Sequence, residues 1–119
     1  DADHDALDAL ARALAPSAER LQESAEQGAA LARMVAGLTG RPMPARMLPV
    51  ALGEAAGPLG LPPEQVLPMF LQGFAGNLCT IATRHVPLGH SEGQGVLARL
   101  LPDFLALGTR AAKAGLDDL

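Results

Sequence analysis

The side chains with chemistry to offer are few and lie far apart. Asp1, Asp3, His4 and Asp5 open the chain, and Cys79, His85 and His90 follow some eighty residues later. Acids at positions one, three and five begin like a calcium-binding loop. The sixth position is Ala6, where a sharp turn needs glycine, and the twelfth is Arg12, where a bidentate glutamate is needed. The His4-Asp5 pair is also short of the ligand set that a metal phosphohydrolase requires. A solvated acidic helix start, capped by Asp3 or Asp5, accounts for these residues more simply. Imidazole and thiolate would suit nickel. However, Cys79 and His85 are six apart and face different directions on a continuous helix, while His90 lies beyond a proline turn. No G-x-S-x-G elbow, phosphate-binding glycine loop or HExxH segment occurs. The expectation is therefore no catalytic residue, no cofactor site and no metal site. An enzyme built from His4, His85 and His90 would need stoichiometric metal and turnover to be taken up.

The elements that must carry these groups are helical. Of 119 residues, 49% are apolar, with three phenylalanines and no tryptophan or tyrosine, a composition suited to helices packed through small side chains. Leu7, Leu10 and Leu14 form one stripe of a first helix that Pro16 ends. Ser17 offers the next N-cap, and Leu21, Ala25, Gly28, Leu31, Val35 and Leu38 define a long second helix with Glu23, Glu26 and Arg33 outward. Gly40, Pro42 and Pro44 break it, and a short third helix is expected over 49–56. The fourth runs over 63–84 with Val66, Phe70, Phe74, Leu78 and Ile81 along one side, placing it at the centre of the core. Pro68 is accommodated early in it with a bend. Ser91 and Gln94 make an S-x-x-Q capping box for a last helix over 94–114, with a kink or break at Pro102. Alternating β-type runs are absent. The chain reads as an all-α, single-domain bundle of about five to seven helices spanning 1–119.

Bulk properties exclude some partners. The net charge of −4, without a Lys/Arg cluster, argues against a nucleic-acid surface. The apolar run Leu67 to Ala82, broken by Gln72 and Asn77, is short for a bilayer span, so no membrane segment is expected. A single cysteine fits a reducing compartment. Recognition is the remaining use for polar groups. Gly73, Asn77, Thr80 and Arg84 share one face of the fourth helix, which close packing at Gly73, with Asn77 and Arg84 bonded to nearby backbone, would explain structurally. Alternatively, the Arg84 end of that stripe joins the 87–94 turn in a partner-binding surface of Asn77, Arg84, Pro87, Gly89, His90, Ser91 and Gln94.

The stretch Asn77-Leu78-Cys79-Thr80-Ile81-Ala82-Thr83-Arg84-His85-Val86-Pro87-Leu88-Gly89-His90-Ser91-Glu92-Gly93-Gln94 resembles the UreF family, with His90 and Ser91 standing where the family usually has Gln and Thr. Leu48-Pro49-Val50-Ala51-Leu52-Gly53, Leu59-Gly60-Leu61-Pro62 and Glu23-Ser24-Ala25-Glu26-Gln27-Gly28 resemble family segments in the same order. The resemblance implies the middle and C-terminal helical portion of a longer, non-catalytic urease accessory protein of the cytoplasm. Such a protein pairs with itself, binds a second accessory protein (UreD, also called UreH) and recruits the nickel-carrying GTPase UreG. The assembly delivers nickel to apo-urease in a GTP-dependent step, with nickel as cargo rather than cofactor. The alternative from the residues alone is a helical oligomerisation module unrelated to urease, which co-purification with urease accessory proteins would separate.

Overall fold

The computed structural model describes residues 1–119 as five α-helices and two short 3-10 turns, with no strand. They form two compact units, residues 1–60 and 61–119.

The first unit holds α1 (Ala2–Ala13), α2 (Ala18–Thr39), α3 (Leu48–Ala56) and a 3-10 turn at Gly57–Leu59. Asp1, rather than Asp3 or Asp5, caps α1, its carboxylate accepting from the His4 amide at 3.0 Å. Ser17 caps α2 as its sequence position predicts, accepting from the Arg20 amide at 3.1 Å. Gly40 closes the helix in the left-handed region (φ 69°), where a Cβ would be strained. Pro49 sits in the first turn of α3, where its missing N–H costs nothing. Packing of α2 on the 46–56 segment is close because small residues allow it: Gly28, Ala32, Ala51 and Ala56 are buried. A Cβ at Gly28 would overlap the Arg46 carbonyl oxygen and lie 2.8 Å from the Leu48 nitrogen.

The second unit is an α-hairpin of α4 (Pro63–His85) and α5 (His90–Lys113), followed by a 3-10 turn at Leu116–Asp118. Three pairs along its length fix the antiparallel register. Gly108 lies against the Pro68 ring, Gly76 faces Leu97, and Gly93 faces the Thr83 methyl. Pro68 thus sits inside α4 yet is buried, its ring seated where Gly108 leaves room. α5 passes through Pro102 without a break.

The expectation about the core changes. The apolar side of α4 is not the centre of a core, since Phe74, Leu78 and Ile81 remain 45%, 52% and 47% exposed. The seam that α4 buries against α5 runs instead through Pro68, Gly76 and Thr83, and a helix paired with a single partner buries only one stripe. Over its 23 residues α4 is also long and apolar enough, by length and composition alone, to cross a membrane, a measure that the core helix of a soluble protein meets as well.

Candidate functional site

The connection between α4 and α5 is short because proline and an extended backbone stop one helix and start the next. Val86 caps α4 in an extended conformation (φ −125°, ψ 147°), as a residue before proline prefers. Leu88 N–H donates to the Val86 carbonyl at 2.7 Å, turning the chain. Gly89 is the N-cap of α5 at φ −70°, ψ 156°, with its carbonyl accepting from the Gly93 amide at 3.0 Å. No side chain caps this helix.

That assignment corrects the reading of Ser91. It stands in the first turn, two residues past the cap, so the Ser91…Gln94 box does not form; the helix has already begun at His90. Gly93, three residues after His90, is buried, with the Thr83 methyl next to it. Gly89 likewise adopts a backbone open to any residue, with open space where a Cβ would be.

The seven sequence-predicted positions do fall near one end of the hairpin. Asn77 and Arg84 are exposed on α4; Pro87 and Gly89 are exposed in the connection; His90, Ser91 and Gln94 are exposed on the first turns of α5. Of the proposed polar stripe, Gly73 is open rather than a packing point. Thr80 turns its hydroxyl inward along the helix to the Gly76 carbonyl at 3.0 Å. The apolar residues Phe74, Leu78 and Ile81 are interleaved with Asn77 and Arg84, so the exposed side of α4 mixes hydrophobic and polar groups. A shallow groove of about 390 Å³ runs along the first turns of α5, lined by Leu88, Ser91, Glu92, Gly95, Val96 and Arg99. Ser91 is the one predicted residue that lines this groove, and Arg99 was not singled out by sequence. No three His, Cys, Asp or Glu side chains are grouped so as to hold a metal ion; His85 and His90 lie at the end of α4 and the start of α5, and Cys79 is half-buried on α4.

The other polar centre, absent from the sequence reading, surrounds Arg46 in the first unit. Arg46 is 4% exposed. Its Nη1 donates to Asp5 Oδ1 at 2.6 Å and its Nε to Glu54 Oε2 at 2.7 Å. Beside it, Met47 N–H donates to Asp8 Oδ1 at 2.6 Å and Leu48 N–H to Ser24 Oγ at 3.2 Å. The hydrogen bond from Arg46 holds the Asp5 carboxyl below the usual carboxylate range. Burial pushes Asp8 up, but the Met47 amide and Arg12 outweigh it and leave Asp8 lowered as well. No fully buried side-chain nitrogen or oxygen is left without a partner, as in a structural clamp rather than a reactive site.

The family model described as UreF matches residues 1–101. This chain belongs to the UreF family. A urease accessory protein UreF of Cereibacter sphaeroides (strain ATCC 17029) is 57% identical over 117 residues, covering 98% of this chain and 56% of the relative. The UreF of Paracoccus denitrificans (strain Pd 1222) is 51% identical over 118 residues, covering 99% of this chain and 55% of its own length. That of Jannaschia sp. (strain CCS1) is 42% identical over 118 residues, covering 99% and 54%. The chain thus spans about half the length of the curated UreF relatives it matches. No solved structure matches it.

Proposed function

We propose that this chain is a partner-binding portion of a urease accessory protein that acts in the cytoplasm during urease maturation. In this reading it pairs with a second copy, binds the accessory protein UreD/UreH, and recruits the GTPase UreG, which carries nickel toward apo-urease in a GTP-dependent step. Nickel is cargo passed on by the complex, and nucleotide chemistry belongs to the GTPase. This chain contributes surface and no catalytic group, and neither nucleic acid nor a membrane is a partner.

The observation that carries the reading is the family match over residues 1–101, which includes the whole 77–94 segment. Structure supports a recognition role for that segment: its polar side chains are exposed on two packed helices, and interface hot spots form where such groups flank apolar surface. Asn77, Arg84, Pro87, Gly89, His90, Ser91 and Gln94 are the proposed contact residues.

The test is His90→Glu in the full-length parent protein. His90 occupies the first position of α5 and is exposed, where a carboxylate meets the favourable end of the helix dipole. The melting temperature should therefore hold or rise slightly. Pull-down of UreG and UreD/UreH, and urease activation, should fall, because an unmatched charge at an interface is penalised. Parental melting together with parental assembly and activation would remove the 87–94 turn from the binding surface.

A further inference from the structure

Helix α1 is attached to its unit differently from α2 and α3. None of its twelve residues is buried; Leu7 and Leu10 are only half-covered, and Leu14 is 53% exposed. By contrast, α2 and α3 share a close apolar contact through Gly28, Ala32, Ala51 and Ala56, and Ser24 ties α2 directly to the Leu48 amide. α2 also has its own cap in Ser17, so nothing in its first turn depends on α1. What α1 does contribute is two carboxylates one turn apart, both aimed at consecutive residues of the 41–47 segment. Asp5 accepts from Arg46 Nη1, and Asp8 accepts from the Met47 amide while Arg12 steadies its second oxygen at 2.8 Å.

We propose that α1 is a releasable strap, latched by Asp5 and Asp8 onto Arg46 and the Met47 amide, which leaves the α2–α3 body as a unit while that body stays folded. The local free energy of opening follows from what opening breaks. For α1 that is partial apolar cover and two polar contacts; for α2 and α3 it is the buried seam of the unit. Once released, a twelve-residue helix is too short to persist in water, so α1 frays as it leaves. Release also frees the Arg46 Nη1 and Met47 N–H donors, while Glu54 continues to hold Arg46 through Nε. The strap therefore covers two donors suited to a carboxylate, and uncovers them together.

Hydrogen exchange read by mass spectrometry on the 119-residue chain at neutral pH tests this. Peptides from residues 2–13 should exchange at least about tenfold faster, after correction for intrinsic rates, than peptides from residues 48–56. Asp8→Ala should speed exchange in α1 by about a further tenfold, the loss appropriate to a charge-assisted hydrogen bond, and leave α2 and α3 at parental rates. Alanine is the better helix former, so faster exchange in α1 would report the latch and not helix propensity. Asp3→Ala, on the same helix without a latch contact, should leave the rates within about twofold. Should Asp8→Ala fail to fold, Asp5→Ala gives the same reading, because the Asp5 side chain is 70% exposed and its removal leaves little cavity. Equal protection of α1 and α3 in the parent, or equal acceleration of all three helices in the variant, overturns the proposal.

Discussion

Replacing Gly28 by alanine places a methyl group where the Arg46 carbonyl oxygen already is, and within 2.8 Å of the Leu48 nitrogen. Both obstacles are backbone, so no rotamer change relieves them. The 46–48 segment must move, and with it the Asp8–Met47 and Ser24–Leu48 hydrogen bonds that depend on its position. Overpacking costs roughly 1–3 kcal/mol, and each weakened hydrogen bond about 1 kcal/mol. The helix itself gains up to about 1 kcal/mol from alanine. The expected net loss is about 2–4 kcal/mol for the first unit. Gly37 supplies the control on the same helix, since nothing lies within 4 Å of its added Cβ. Gly37→Ala should stabilise by roughly 0.5–1 kcal/mol. Urea denaturation followed by circular dichroism, with hydrogen exchange to assign the transition to residues 1–60, measures both variants against the parent. Equal midpoints for Gly28→Ala and Gly37→Ala would refute the close approach of α2 to the 46–48 backbone.

The uncapped start of α5 yields a paired prediction: Gly89→Asp should stabilise the hairpin by a few tenths of a kcal/mol or more through a side-chain cap and favourable charge, raising the melting temperature, whereas Ser91→Ala should leave it nearly unchanged. A clear loss for Ser91→Ala, near 1 kcal/mol, would restore Ser91 as the cap. Acid should loosen the first unit selectively. Asp5 and Asp8 titrate below the usual value of 3.8 when folded, so their contribution is complete above roughly pH 5 and is lost as pH falls through the folded values. The Asp5→Ala/Asp8→Ala double variant should flatten that acid limb for residues 1–60 in urea titrations at pH 3 and pH 6; an unchanged slope would contradict it. Equilibrium dialysis against nickel should find no submicromolar site in the isolated chain, because no pair of soft ligands has helical i, i+4 spacing. A stoichiometric site abolished by His85→Ala or His90→Ala would reverse that expectation.

Local signals in the sequence specify local structure well. Ser17 and Gly40 bracket α2 because a cap and a left-handed glycine act within one turn of the chain. Pro49 marks the start of α3 for the same reason. The Ser91 box fails although its letters are right, because four letters say nothing of the extended backbone at Gly89, which caps the helix two residues earlier. Arg46 is invisible for a related cause. Its partners lie 41 and 8 residues away along the chain, and a single arginine in a proline-rich break carries no period linking it to Asp5 or Glu54. Glycines inside helical patterns were the available clue to close approach, since each weakens its helix by about 1 kcal/mol unless packing compensates. That clue points correctly to Gly28, Gly93 and Gly108 and wrongly to Gly37, Gly53 and Gly73, and only the partner surface distinguishes them. The exposed positions of the 77–94 segment were legible because they lie close together along the chain, on α4, the connection and the first turns of α5.

The exposed side of α4 ties the stability of the hairpin to its proposed use. Within residues 61–119, only Pro68, Gly93, Phe104 and Gly108 are buried, and two of these are glycines that contribute no side-chain surface. The seam of α4 and α5 is narrow because small residues bring the backbones together, and narrowness leaves Leu78 and Ile81 on α4, with Leu101 and Leu105 on α5, about half exposed. Each such side chain has roughly half of its 1.5–3 kcal/mol burial energy still to be realised. A partner that covers them would stabilise the hairpin while binding it, so affinity and folding of this unit are linked through the same residues. Under the proposed function, Asn77 and Arg84 would fall inside a contact whose apolar part supplies the driving force, and would serve to select which partner is accepted.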